Sequence, residues 1–170
     1  MKMRSLLLIL SGVVASAGWA EFLDEDTKGL RVDLVLDENS FDYSNWGVEG
    51  GFGVSLFPLD EVGIFAGYRE NDSRSALSGG VFVEENYPLD AALVPFAGLA
   101  AGYGETDSDY GEEEGDVFVR VQGGLKFLFS DNKAVALTLS YSASPSEIFP
   151  GDRDPADHAI DLRLGMRFYY

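Results

Sequence analysis

The sequence predicts an all-β chain: eight antiparallel strands in an up-and-down meander that closes into a barrel. Three observations lead there. Beyond residue 30, apolar side chains recur at every second position instead of at helical spacing. Eight stretches show this period, joined by connections that alternate in length, so the outer ends of the first and last strands fall on the same short-turn side. The 170 residues are 46% apolar, enough surface for an ordered core despite 29 acids against 12 bases.

The first twenty residues stand apart from this pattern. Lys2 and Arg4 precede the apolar run Leu6-Leu7-Leu8-Ile9-Leu10 and Val13-Val14, and small residues lead to Gly18-Trp19-Ala20. A charged start, a short apolar middle and a small-residue exit make a secretory signal peptide, residues 1–20, with cleavage expected after Ala20 and after Ala17 as second choice. The apolar run is well short of the ~20 residues of a spanning helix. Residues 21–170 are the expected mature domain, which keeps all the acids and loses two bases.

The strands follow in order. Leu30, Val32, Leu34 and Leu36 oppose Arg31, Asp33 and Val35, and then Trp46, Val48, Phe52, Val54 and Leu56 oppose Glu49, Gly51, Gly53 and Ser55. Val62, Ile64, Ala66 and Tyr68 oppose Gly63, Phe65, Gly67 and Arg69. Two less regular strands lie near 76–87 and 91–105, where Phe82, Val94 and Phe96 fall on the polar side with Glu84. Val117, Val119, Val121, Leu125, Phe127 and Phe129 oppose Arg120, Gln122, Gly124 and Lys126, and Val135, Leu137, Leu139 and Tyr141 oppose Ala136, Thr138, Ser140 and Ser142. The last strand sets Ile160, Leu162, Leu164, Met166, Phe168 and Tyr170 against Asp161, Arg163, Gly165, Arg167 and Tyr169.

Turn-forming residues place tight connections at Pro58-Leu59-Asp60, Pro88-Leu89-Asp90 and Ser130-Asp131-Asn132, and longer ones at 37–45, 71–75, 106–115 and 145–157. A simple hairpin centred on Leu59 pairs Val54 with Ile64, Phe52 with Ala66 and Glu49 with Arg69.

Four features decide which face is inside. The polar face is mostly Gly, Ala and Ser, interrupted by Arg31, Arg69, Arg120, Lys126, Arg163 and Arg167 beside Asp33, Glu49, Glu84 and Asp161. Pooled bases and acids of this kind suit internal ion pairing in a lumen that side chains fill. Strands of about ten residues match a tilted crossing of the hydrocarbon layer. Aromatic residues on the apolar face gather near strand ends, at Trp46, Tyr68, Tyr87, Tyr103, Phe129, Tyr141, Phe168 and Tyr170. The chain ends Gly165-Met166-Arg167-Phe168-Tyr169-Tyr170, a Gly followed by alternating aromatics, which resembles the closing-strand signal of bacterial outer-membrane barrels.

With these residues in view, the mature chain resembles the small eight-stranded outer-membrane barrels of the OmpX and OmpA transmembrane-domain type. Val94-Pro95-Phe96-Ala97-Gly98-Leu99-Ala100-Ala101-Gly102-Tyr103-Gly104 is similar to a segment common in such domains. The resemblance implies a bacterial outer-membrane location, outer-membrane lipid and lipopolysaccharide as surroundings, and Gly165, Phe168 and Tyr170 as a signal read by the barrel-assembly machinery.

Composition narrows the chemistry. A formal net charge of -17 repels phosphate backbones, so nucleic acid is an unsuitable partner. With no Cys there is no disulfide, thiolate site or thiol nucleophile. His158, the only histidine, follows Asp154 and Asp157 at the loop-side mouth of the last strand. Barrel proteases and lipid A deacylases place a catalytic His at such a mouth, but the His and Ser two apart of the deacylases are missing, because Ala159 and Ile160 follow. A solvated loop histidine beside acids is the plainer reading. Glu105, Asp107, Asp109, Glu112, Glu113, Glu114 and Asp116 offer hard oxygen ligands for a divalent cation, without the spacing of a twelve-residue calcium loop. Eight strands leave no room for general diffusion through the lumen.

The expectation is a monomeric, non-enzymatic outer-membrane barrel with a structural or surface-interaction role, acidic extracellular loops and no cofactor. Two alternatives stand beside it: a barrel enzyme acting on lipid A or peptides through His158 and nearby carboxylates, and a soluble periplasmic carrier of hydrophobic ligands.

Overall fold

The computed structural model describes residues 27–37, 46–57, 60–71, 74–87, 89, 92–108, 113–149 and 156–170. The signal segment and its cleavage site lie outside these residues. The alternation becomes β1 (Lys28–Asp37), β2 (Trp46–Phe57), β3 (Asp60–Asn71), β4 (Arg74–Asn86), β5 (Leu93–Ser108), β6 (Glu113–Ser130), β7 (Lys133–Ala143) and β8 (His158–Tyr169). Each strand pairs antiparallel with the next, and β8 returns to β1 with Leu30 opposite Phe168 and Leu34 opposite Leu164. The sheet is a closed eight-stranded barrel, which removes the free edges of an open meander.

Parity along each strand separates wall from lumen. Ile64 is 62% exposed and its neighbour Phe65 only 4%. Leu30, Val48, Leu77, Leu99, Val119, Leu139 and Leu164 face outward from the other seven strands, while Arg31, Glu49, Glu84, Arg120, Lys126, Asp161, Arg163 and Arg167 are buried inside. Water would penalise so continuous an apolar wall at about 25 cal/mol per Å², a penalty that acyl chains remove. Outward aromatics border the wall at both ends: Trp46, Tyr68, Tyr103 and Tyr141 on the loop side, and Tyr87, Phe129, Phe168 and Tyr170 on the turn side.

The core of this molecule is therefore the lumen. Phe82, Val94 and Phe96, irregular in sequence, are buried there, and for the two rings the reason is charge. The Arg31 guanidinium lies 3.8 Å from the centre of the Phe82 ring, and the Lys126 ammonium 4.8 Å from that of Phe96. Stacked cations are better stabilised against rings than against aliphatic walls. Gly63 makes room for Phe82, since a Cβ there would lie 2.6 Å from the ring.

Several connections differ from expectation. Asn71 pairs with Arg74, so β3 and β4 are joined by two residues and not by a longer loop over 71–75. β5 and β6 pair as far as Asp107 opposite Glu113, absorbing most of the expected loop 106–115 into a hairpin whose acidic residues are tolerated because they stand beyond the apolar wall. Between β4 and β5 the tight turn is instead a connection over 87–92, with the Tyr87 amide donating to the Pro95 carbonyl at 2.8 Å. Pro88, which has no amide to give a ladder, sits in that stretch.

The expected register at Leu59 is also corrected. Val54 pairs with Val62, Phe52 with Ile64 and Glu49 with Gly67, two residues away from the simple hairpin, because Phe57 pairs with Asp60, one residue off, and the register shifts by one more between Ser55 and Phe57. An offset of two preserves every side chain's face, so parity survives while the pairing of Glu49 with Arg69 does not. Arg69 lies opposite Gly47.

Candidate functional site: the filled lumen and its outer mouth

Each strand contributes inward positions by parity alone, and most of the charged ones meet in one connected set. Glu49 sits at its centre: Arg31 Nη2 and Arg163 Nη1 donate to Oε1 at 3.1 and 2.8 Å, and Arg120 Nη1 donates to Oε2 at 2.8 Å. Arg31 also bonds Glu84 at 2.8 Å, which accepts from Gln122 at 2.7 Å and lies 3.0 Å from the Lys126 ammonium. Asp161 accepts from Arg69 at 2.5 Å, Arg163 at 3.2 Å and Ser140 at 3.2 Å. Arg167 and Asp33 form a separate pair at 2.6 Å. Among these groups Arg69 is the least buried, toward the loop end.

Desolvating this many charges is costly, and only multiple bonds to each carboxylate offset it. The three guanidiniums on Glu49 show that offset clearly. Gly165 belongs to the same arrangement: a Cβ there would collide with the Asp33 carboxylate that holds Arg167. Its side of β8 thus has a packing reason for glycine, alongside the assembly role that the terminal motif implies. Phe168 is half-buried on the wall and Tyr170 exposed at its rim.

Toward the turn end, the fully buried Lys126 donates to Asn86 at 2.8 Å and lies 3.5 Å from Glu61, and the Tyr169 ring is buried beside it, 6.0 Å from Nζ. Glu61 shares parity with Gly63 and Phe65 but stands one step beyond the expected strand, so period 2 is its only signal in the sequence. Toward the loop end, charge gives way to Phe65, Phe118, Ile148 and Phe149, all buried. Ile148 and Phe149 come from the connection between β7 and β8, and the only hint in the sequence is an apolar pair inside an otherwise polar loop.

The remaining candidates lie outside the lumen. His158 is exposed; its Nδ1–H donates to Asp157 at 2.6 Å, and its ring lies 6.2 Å from that of Tyr141. That bond holds the Asp157 carboxyl below its ordinary range. Among the described residues no serine or threonine hydroxyl is bonded to His158. Glu105, Asp107 and Glu114 are exposed on the β5–β6 hairpin, while Asp116 accepts from Ser146 Oγ at 2.6 Å and from the Val117 amide at 2.7 Å, which lowers its pKa. Asp109 and Glu112 lie outside the described residues, and of Glu113 only the backbone is described. Among the described residues no three acids or histidines converge as a metal site would require.

The comparisons address this geometry at the level of fold. No family model and no curated protein matches the chain. Solved structures do. The N-terminal β-barrel domain of Pseudomonas aeruginosa OprF superposes with a TM-score of 0.67 at 13% identity, over 86% of this chain and 98% of that domain. This is the fold of the small outer-membrane barrels. Neisserial surface protein A has it too, with a TM-score of 0.62 and 10% identity over 85% of this chain and 95% of that one. The outer membrane enzyme PagL has a TM-score of 0.51 and 14% identity over 82% of this chain and 98% of its own. A surface protein and an enzyme on one outer-membrane barrel mean that the fold leaves activity to be argued from the site.

Proposed function

We propose that this chain is a monomeric, non-enzymatic barrel of a bacterial outer membrane, with a structural or surface-interaction role carried by its acidic outer end. One observation supports it above the others: an apolar wall edged by aromatics surrounds a lumen whose charged groups are engaged with each other. Glu49, Glu84 and Asp161 hold their cations inside the barrel, so the interior has little left with which to bind or transform a solute. Recognition falls to the outer surface, where Glu105, Asp107 and Glu114 are exposed on a hairpin that outreaches the neighbouring β7. Outer-membrane lipid and lipopolysaccharide are the surroundings this wall fits, and the β8 terminus with Phe168 and Tyr170 is the segment offered to the assembly machinery. The enzyme reading is disfavoured because, among the described residues, no hydroxyl is bonded to the Asp157–His158 pair, and the soluble carrier by the outward apolar wall.

Expression of the full chain in a Gram-negative host, followed by fractionation and protease treatment of intact cells, tests the proposal. The protein should accompany the outer membrane and be cleaved from outside only at its loop end, and His158→Ala should leave its level and folding unchanged. Recovery in the soluble periplasmic fraction would refute it.

A further inference from the structure

Residues 144–149, which follow β7, turn back over the barrel mouth instead of standing away from it. Ile148 is 2% exposed and Phe149 6%, and they join Phe65, Phe82, Ala100 and Phe118 in one apolar cluster. The Phe149 ring meets that of Phe118 edge-on at 6.0 Å, and the Phe118 ring centre lies 5.3 Å from the Arg120 guanidinium. Two large apolar side chains thus lie over Phe118 at the loop end of the charge network, where Arg69 stays partly exposed.

The segment is fastened where the barrel leaves bonding groups free. The β6–β7 ladder ends at Val119 opposite Ala143, so among the described residues the outermost part of β6 has no strand on that side. Ser144 Oγ donates to the Val117 carbonyl at 2.9 Å and Ser146 Oγ to Asp116 at 2.6 Å, covering that edge. Thr106 of β5 donates to the Ile148 carbonyl, and Phe149 and Ala156 exchange amide bonds at 3.0 and 2.8 Å. Below lies a cavity of about 20 Å³, lined in part by Arg69, Ser78, Phe118, Arg120, Ile148 and Phe149, with room for about one water molecule.

We propose that residues 144–149 are a built-in stopper: Ile148 and Phe149 shut the outer mouth against bulk water and can lift without opening the strand ladder. None of the barrel's ladder pairs involves either residue, so lifting them breaks no ladder bond. Local opening of a loop held this way is cheaper than global unfolding.

A thiol introduced by Ala76→Cys reads the seal, because the chain has no cysteine of its own and Ala76 is buried and lines the cavity. The full chain, folded in lipid vesicles, is treated with a charged, membrane-impermeant maleimide. With the stopper in place labelling is slow; adding Ile148→Gly and Phe149→Gly should accelerate it by roughly tenfold or more, while the unboiled barrel keeps its gel mobility. If the double variant does not fold, Phe149→Ala alone carries the test, with the same direction expected. Fast labelling in the parent, or equally slow labelling in a folded stopper variant, would overturn the proposal.

Discussion

The two ends of the lumen are closed by different parts of the chain. At the turn end the seal is made by strands: Lys126 of β6, Asn86 of β4, Glu61 of β3 and the Tyr169 ring of β8, each fixed by its place in the ladder. At the outer end it is made by a loop that brings Ile148 and Phe149 over Phe118. A strand-built seal cannot be removed without opening the barrel, whereas a loop-built one is held by a few side-chain bonds. The difference separates the part of the interior that supports the fold from the part that controls access to it.

The largest effect is expected where a seal and the closure of the barrel coincide. Deleting Phe168 to Tyr170 removes the β8 partners of Gly29 and Leu30 and the bonds between Lys28 and Tyr170, leaving an edge of β1 unpaired in lipid. Export should persist while the heat-modifiable, folded band disappears from the outer membrane. A normal amount of folded truncated protein would show that closure does not depend on this seal.

Between the two ends lies Glu49. Replacing it by Leu leaves Arg31, Arg120 and Arg163 short of a shared carboxylate, at a cost of about 3–5 kcal/mol in reversible unfolding from vesicles by urea. Lys126→Met at the turn end should cost about as much, about 3–5 kcal/mol, because Glu84 keeps Arg31 and Gln122 but the buried Glu61 loses the cation beside it. At the outer end Phe149→Ala should change global unfolding by less than about 1 kcal/mol, since the loop opens apart from the ladder. Equal losses at the two ends would erase the distinction between them.

The smallest effect is the response to acid. Asp116 titrates below the ordinary aspartate range because it accepts the Ser146 hydroxyl, so the bond contributes fully above the unfolded-state value and is lost as pH falls through the lower, folded one. Carboxyl titration by NMR should show the Asp116 midpoint rising in Ser146→Ala. An unchanged midpoint would detach this latch from the loop.

Strand-borne features were legible in the sequence to the extent that parity dictates them. Arg31, Glu49, Glu84, Arg120, Lys126, Asp161, Arg163 and Arg167 fall on one face by period 2 alone, and that face is the interior. Partners were not legible, because they depend on register and on the tilt of strands around the barrel. Glu49 takes Arg31, Arg120 and Arg163 from β1, β6 and β8, while Arg69 reaches Asp161, and no pairwise hairpin rule contains those contacts. Ile148 and Phe149 carry no period at all, so a loop folding inward left only composition as a signal.

The central claim is that the apolar wall faces lipid and the charges face inward. Trp46→Phe in the mature chain, combined in turn with Val119→Trp and Leu139→Trp, places a single fluorophore at two outward positions of the wall. In vesicles containing lipids brominated near the chain centre, both tryptophans should be strongly quenched and shielded from aqueous iodide. Quenching by iodide with no response to the brominated chains, in protein that stays folded without lipid or detergent, would contradict the account.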